Sequence, residues 1–108
     1  ARIGANSWFV SLDGIEIGEG SALAPCSYVS AGKYNLSELG KPVMELESLC
    51  SGPIVIEDNV WVATRVTILD GVRLGKNSVV SAGSVISHNM PENSVISGNP
   101  AKVVFTRR

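Results

Sequence analysis

Histidine is nearly missing from this chain, which carries one, His88, in 108 residues. A zinc centre with three histidine ligands, of the kind a β-helical carbonic anhydrase uses, is therefore out of reach. Only two cysteines are present, Cys26 and Cys50, with no close-spaced partner, which is neither a disulfide framework nor a metal knuckle. A cysteine nucleophile would need a base, and His88 is the only imidazole to supply one. No sign of charge prevails: nine Lys and Arg stand against ten Asp and Glu, so there is no electrostatic footprint for nucleic acid or an anionic membrane. Apolar runs stop well short of the roughly 18 residues that span a bilayer, and no basic segment leads into an apolar one at the start. The expectation is a soluble, cytoplasmic protein of one domain over residues 1–108, with 44% apolar residues to form its core.

What is present is a repeat. From Ile56 the chain divides into blocks of six: IEDNVW, VATRVT, ILDGVR, LGKNSV, VSAGSV, ISHNMP. The first residue of each is aliphatic: Ile56, Val62, Ile68, Leu74, Val80, Ile86. The fifth is small or apolar: Val60, Val66, Val72, Ser78, Ser84, Met90. Positions five and one are two residues apart, so on an extended segment they share a face. The polar residues between them are types that accept left-handed backbone angles and tight turns. Three such sides make a triangular coil of eighteen residues, and coils stack through parallel strand pairing.

The same phase appears upstream in IGANSW with Phe9, and in IGEGSA and LAPCSY with Val29, with a two-residue excess around Leu12 to Gly14. The prediction is an all-β parallel helix of about four coils, with Ile17, Leu23, Val29, Ile56, Val62, Ile68, Leu74, Val80 and Ile86 as its inner column. One long loop, 33–52, is inserted, and the repeat ends after Pro91 in a tail over 92–108 containing a last short strand and a Gly-Asn-Pro turn. An antiparallel sandwich is the alternative for a chain this rich in Val and Ile, and a strict period of six argues against it. An ice-binding face is excluded because only Thr64, Thr67 and Thr106 are available for its ranks of threonine.

The motifs EDNVW, ILDGV, SAGSV and GNPAKV, together with the upstream repeats, closely resemble the hexapeptide-repeat O-acetyltransferases that act on bacterial polysaccharides and sugars. The resemblance implies a left-handed β-helix, a handedness that spacing alone does not supply, and a homotrimer with sites between subunits. It implies acetyl-CoA as acyl donor and a sugar or other small hydroxylated acceptor. Trp61, outward in its block, would line the cofactor with Thr64, Ala82 and Ser87, and Lys102 would face its phosphates. It further implies direct transfer, in which a base takes the acceptor's hydroxyl proton.

The base in relatives is a histidine near the start of the long loop. Here the matching string is SAGKYN, where Lys33, Tyr34 and Asn35 stand. Phenol and ammonium groups titrate near 10, so a base at this place would need a strong downward shift. Tyr34 and Asn35 are kept as catalytic candidates. His88 is the third, although its turn is expected at the far end of the helix from the loop's root. Glu38, Glu45 and Glu47 are candidate acceptor contacts within the loop. The competing function is a non-catalytic trimeric binding or assembly module of the same fold.

Overall fold

The computed structural model of the chain describes residues 1–10, 14–30, 33–34, 36–37, 39–49 and 51–108, with the side chains of Lys33, Tyr34 and Leu49 left out. Its strands are two to three residues long up to the last two, the length that a six-residue period leaves between corners. All but three of the described strands stack in three parallel sheets that form the faces of a left-handed β-helix. The first face is β1 (Arg2–Ile3), β4 (Ala22–Leu23), β9 (Trp61–Val62), β12 (Val79–Val80) and β14 (Ser94–Gly98). The second is β2 (Trp8–Val10), β5 (Tyr28–Ser30), β10 (Thr67–Leu69) and β13 (Val85–Ile86). The third is β3 (Ile15–Ile17), β8 (Ile54–Ile56) and β11 (Arg73–Leu74), extended by Met90, which bridges to Leu74.

Residues of equal phase stack as the period requires. Ile68 pairs with Ile86, Val62 with Val80 and Ile56 with Leu74, each eighteen positions on. Leu23, Val29, Ile56, Val62, Ile68, Leu74, Val80 and Ile86 are all buried, as are the fifth-position residues Val60, Val66, Val72, Ser78 and Ser84. Burying each large aliphatic contributes about 1.5–3 kcal/mol, which is what holds together a fold with a single short turn of helix among the described residues. Ile17 is only half-buried and belongs to the first described coil, where Ile3 is 50% exposed. The early excess of two residues is visible in the register, where Ile3 pairs with Leu23 across twenty positions.

The edges turn on residues with positive φ. Along the edge between the third and first faces these are Gly20, Asn59, Asn77 and Asn93, with φ between 56° and 76°. Asparagine tolerates this region better than other non-glycine residues, and here it has a further reason to be present. The Asn59 amide donates to Asn77 Oδ1 at 3.0 Å, and the Asn77 amide donates to Asn93 Oδ1 at 3.0 Å, which ties three coils together.

Three expectations need correction. The repeat does not end after Pro91: Met90 takes the first position of a further block, MPENSV, whose fifth residue Ser94 is buried, as is Ile96, which opens the next block. The corner over Ser87–Asn89 is therefore two residues short. The inserted segment 33–52 is not without structure, since β6 (Lys33–Tyr34) pairs antiparallel with β7 (Ser48–Leu49), and a 3-10 turn lies between them at Val43–Glu45. The tail does form a strand beyond the Gly-Asn-Pro turn: β15 (Ala101–Thr106) runs antiparallel to β14 and closes the end of the prism over Ile96. Among the described residues no helix is long and apolar enough to cross a membrane.

Candidate functional site

The outer surfaces of the three faces differ in chemistry. The third face carries Glu16, Val55 and Arg73 in register and opens on a charged groove of about 570 Å³. Within it the Glu57 carboxylate accepts from Arg73 Nε at 2.7 Å and from the Lys76 backbone N–H at 2.9 Å, and forms an ion pair with the Arg73 guanidinium. The backbone bond from Lys76, then the Arg73 bond, hold the Glu57 carboxyl below the usual carboxylate range. These charges are satisfied by one another and bind coil to coil.

The second face is apolar and aromatic. Trp8 and Tyr28 are paired in register and their rings stack, with centroids 6.3 Å apart and planes 14° from parallel. They are 60% and 48% exposed, and Val10 beside them is 53% exposed, so this face presents a sizeable apolar area to solvent. Sequence reasoning missed the pair, although both residues hold the outward sixth position of their blocks, the same signal that singled out Trp61.

Trp61 lies on the first face, 49% exposed, in register with Ala22 on one side and Val79 on the other. Three residues later the chain turns the edge toward the second face at Thr64, whose hydroxyl donates to the Pro25 carbonyl at 2.5 Å. One coil on, Ala82 occupies the same edge; the Gly83 N–H donates to the Thr64 carbonyl at 3.0 Å and fixes the two turns together. Both Thr64 and Ala82 are exposed. Lys102, also exposed, stands opposite Ser97 in β15, and the Ser97 hydroxyl accepts from Ser81 Oγ at 2.7 Å, directly before Ala82. Trp61, Thr64, Ala82 and Lys102 thus share one side of the prism.

Ser87 does not join them. It sits with His88 and Asn89 on the opposite edge of the second face, where the short corner leaves a cleft of about 460 Å³. His88 is not remote from the inserted segment, as its sequence position suggested: Ser51, at the end of that segment, lines the same cleft with Asp70 and Gly71. Segment and corner both belong to the turn from second to third face, one coil apart from Asp70. The Ser51 N–H donates to Asp70 Oδ2 at 2.9 Å, and the Gly71 N–H donates to the Gly52 carbonyl at 3.2 Å. Gly71 has φ +71° and a side-chain carbon there would lie 2.9 Å from the Ser51 Cβ, so glycine is required twice over. Ser51, Asp70 and Gly71 were missed; the Asp-Gly dipeptide marked a turn but not a cleft.

Of the catalytic candidates, Tyr34 is placed by its backbone alone, in β6, and Asn35 and Glu38 lie outside the described residues. Glu45 and Glu47 are exposed in the inserted segment. Among the described residues no group of three or more His, Cys, Asp or Glu side chains could hold a metal ion.

Comparison with known proteins agrees with this architecture. The family described as bacterial transferase hexapeptide (six repeats) matches residues 53–88, and the hexapeptide repeat of succinyl-transferase matches residues 1–31. A Saccharomyces cerevisiae protein provisionally named an acetyltransferase is 41% identical over 105 residues, which are 93% of this chain and 50% of that protein. A maltose O-acetyltransferase from Clostridium difficile 630 superposes with TM-score 0.79 at 31% identity, covering 98% of this chain and 58% of the other. A hexapeptide-repeat acetyltransferase from Vibrio cholerae, complexed with acetyl coenzyme A, gives TM-score 0.70 at 22% identity over 99% of this chain and 71% of its own, a likeness of fold alone. The chain spans about half the length of the yeast relative.

Proposed function

The chain belongs to the hexapeptide-repeat transferases, and from that premise we propose that it forms the β-helical body of an acyl-CoA-dependent O-acetyltransferase acting on a sugar or other small hydroxylated acceptor, with acetyl-CoA as donor. The observation that carries this reading is the exposed lane of Trp61, Thr64 and Ala82. An outward tryptophan stands beside an edge whose side chains are small, so an extended pantetheine arm can lie close to the backbone, and Lys102 at the end of that lane offers a point charge to phosphate.

The working unit is a homotrimer. The second face, with Trp8, Val10 and Tyr28 exposed, supports it. Three copies that turn this face toward a common axis bring the Thr64–Ala82 edge of one beside the Ser87–His88 edge of the next. All the cofactor candidates then face one groove, which within a single copy they do not.

Titration with acetyl-CoA by calorimetry, followed by release of free CoA thiol with maltose as acceptor, tests the proposal. Saturable binding below millimolar concentration with acceptor-dependent thiol release is the expected result, and absence of binding overturns it. What supports the second reading, a non-catalytic trimeric module, is that Lys33, Tyr34 and Asn35 stand where the resemblance leads one to expect a histidine. Binding without thiol release for any hydroxylated acceptor selects that reading.

A further inference from the structure

The geometry points to Arg65 as the residue that recognises a charge on the acceptor, so that the preferred acceptor is an acidic sugar, one carrying a carboxylate or a phosphate. The inference rests on the donor reading above and deepens it by naming the acceptor's class.

The edge between the first and second faces turns, coil by coil, on Asn6, Cys26, Arg65 and Gly83, with φ between 57° and 75°. Left-handed backbone of this kind suits glycine and asparagine and is disfavoured for a side chain as long as arginine's. Among the described residues with positive φ, Arg65 is the one that carries a charge. A residue kept in a disfavoured conformation calls for a gain elsewhere, and such outliers gather at ligand sites.

Packing does not supply that gain. Arg65 is exposed, and among the described residues its guanidinium has no hydrogen bond or ion pair. The other two cations of residues 53–93 behave differently: Arg73 Nε donates to Glu57 at 2.7 Å, and Lys76 lies 3.8 Å from the Glu92 carboxylate. The edge itself brings no carboxylate to Arg65. One coil back stand Pro25 and Cys26, and one coil on stand Ala82 and Gly83, where a side-chain carbon at Gly83 would meet nothing within 4 Å. The backbone beneath the guanidinium is nevertheless fixed, because Thr64, directly before it, is bonded to Pro25 on one coil and to Gly83 on the next. The result is a cation on a firm base, with open space beside it and no counter-ion from its own edge.

Its place along the donor lane says which anion it meets. In that lane the donor's phosphates face Lys102 on β15, and β15, β14, β12 and β9 are consecutive strands of the first face. Three strand spacings, about 14 Å of prism, therefore separate that end from β9, whose turn carries Arg65. Arg65 stands toward the acyl end, where the acceptor approaches. A guanidinium presents a planar fork that matches a carboxylate or a phosphate with two bonds.

Glucose, glucuronate and glucose 6-phosphate differ in this one charged group and test the inference. With acetyl-CoA as donor, the wild type should show kcat/KM for either acidic sugar about tenfold above that for glucose at low ionic strength, an advantage that shrinks as salt screens it. Whichever acid gains more identifies the acceptor's group as carboxylate or phosphate. Arg65→Asn, which suits the left-handed turn, should erase the advantage at an equal or higher urea midpoint, and Arg65→Lys should keep part of it, since a point charge replaces the fork. Calorimetry should register the preferred acid on the CoA-saturated wild type and not on Arg65→Asn, while the Kd for acetyl-CoA differs less than about threefold between them. The inference is overturned if the wild type binds and turns over acidic and neutral sugars alike. It is overturned too if Arg65→Asn weakens acetyl-CoA tenfold, which places Arg65 on the donor, or lowers stability or dissociates the assembly, which gives the side chain a structural partner. Each of these leaves the donor reading standing, whereas a wild type that does not bind acetyl-CoA removes both.

Discussion

Leu74 pairs with Met90 across sixteen positions, two fewer than the eighteen that separate Ile68 from Ile86 on the neighbouring face. The shortening leaves the inner column intact, because Met90 is buried over Leu74 much as Ile86 is over Ile68. All of its cost falls on the corner, which is where the cleft opens.

The inner column predicts the largest stability effects. Ile68→Ala, at a position stacked between Val29 and Ile86 with no exposure, should cost about 2–5 kcal/mol, since a cavity inside a narrow prism is closed on every side and cannot collapse. Chemical denaturation measures it; a loss under 1 kcal/mol means the column is not packed as described.

How far the sequence reveals such features depends on how evenly it signals them. The six-residue period located eight buried stacking residues because aliphatics recur at one phase. Met90 was misread because the fifth and first positions both point inward, so an apolar residue fits either, and a corner shortened by two residues leaves no compositional trace. The cleft was invisible for the same reason: Ser51, Asp70 and His88 are spread over 38 positions and meet only because the coils stack. The β6–β7 pair was hidden too, as two residues a strand give no periodicity to read.

The asparagine ladder separates two contributions that sequence alone confounds. Asn77→Ala loses both amide bonds and places alanine at φ +62°, whereas Asn77→Gly loses the bonds without the backbone strain. The alanine variant should be less stable than the glycine variant by about 1 kcal/mol. Equal stabilities in urea would show that the left-handed turn contributes nothing to the choice of asparagine.

Glu57 gives a pH dependence with a defined sign. Its pKa in the folded protein is depressed, chiefly by the Lys76 backbone N–H and then by Arg73. Its contribution is therefore fully present above the ordinary glutamate pKa of about 4.3 and is lost as pH falls through the lower folded value. The wild type should lose more stability than Glu57→Gln between about pH 5 and pH 3. Parallel melting curves for the two proteins over that range would show that the carboxylate's partners do not stabilise the fold.

Assembly should fail when the second face is charged. Trp8 and Tyr28 stack on each other but remain about half exposed, and the proposed trimer would cover them. Tyr28→Asp should convert a species of three chain masses in sedimentation equilibrium into a monomer, with the core column still cooperative on heating. A wild type that is already monomeric at micromolar concentration removes the proposed groove.

The donor lane, finally, makes opposite demands on Ala82 and Lys102. Ala82 is exposed on the edge and touches no core residue's place, so Ala82→Leu should fold as well as the wild type while its added methyl groups stand where the pantetheine arm would lie. The expected loss in acetyl-CoA affinity is tenfold or more and is independent of salt, because it is steric. Lys102→Ala removes a charge from solvent-exposed surface, so its effect should be severalfold at low ionic strength and shrink as salt screens the phosphate interaction over a distance of about 10 Å at 0.1 M. Measuring both variants by calorimetry at two salt concentrations distinguishes a lane that is occupied from one that is merely bordered. If Ala82→Leu binds acetyl-CoA as the wild type does, the cofactor runs elsewhere on the prism, whatever Lys102 shows.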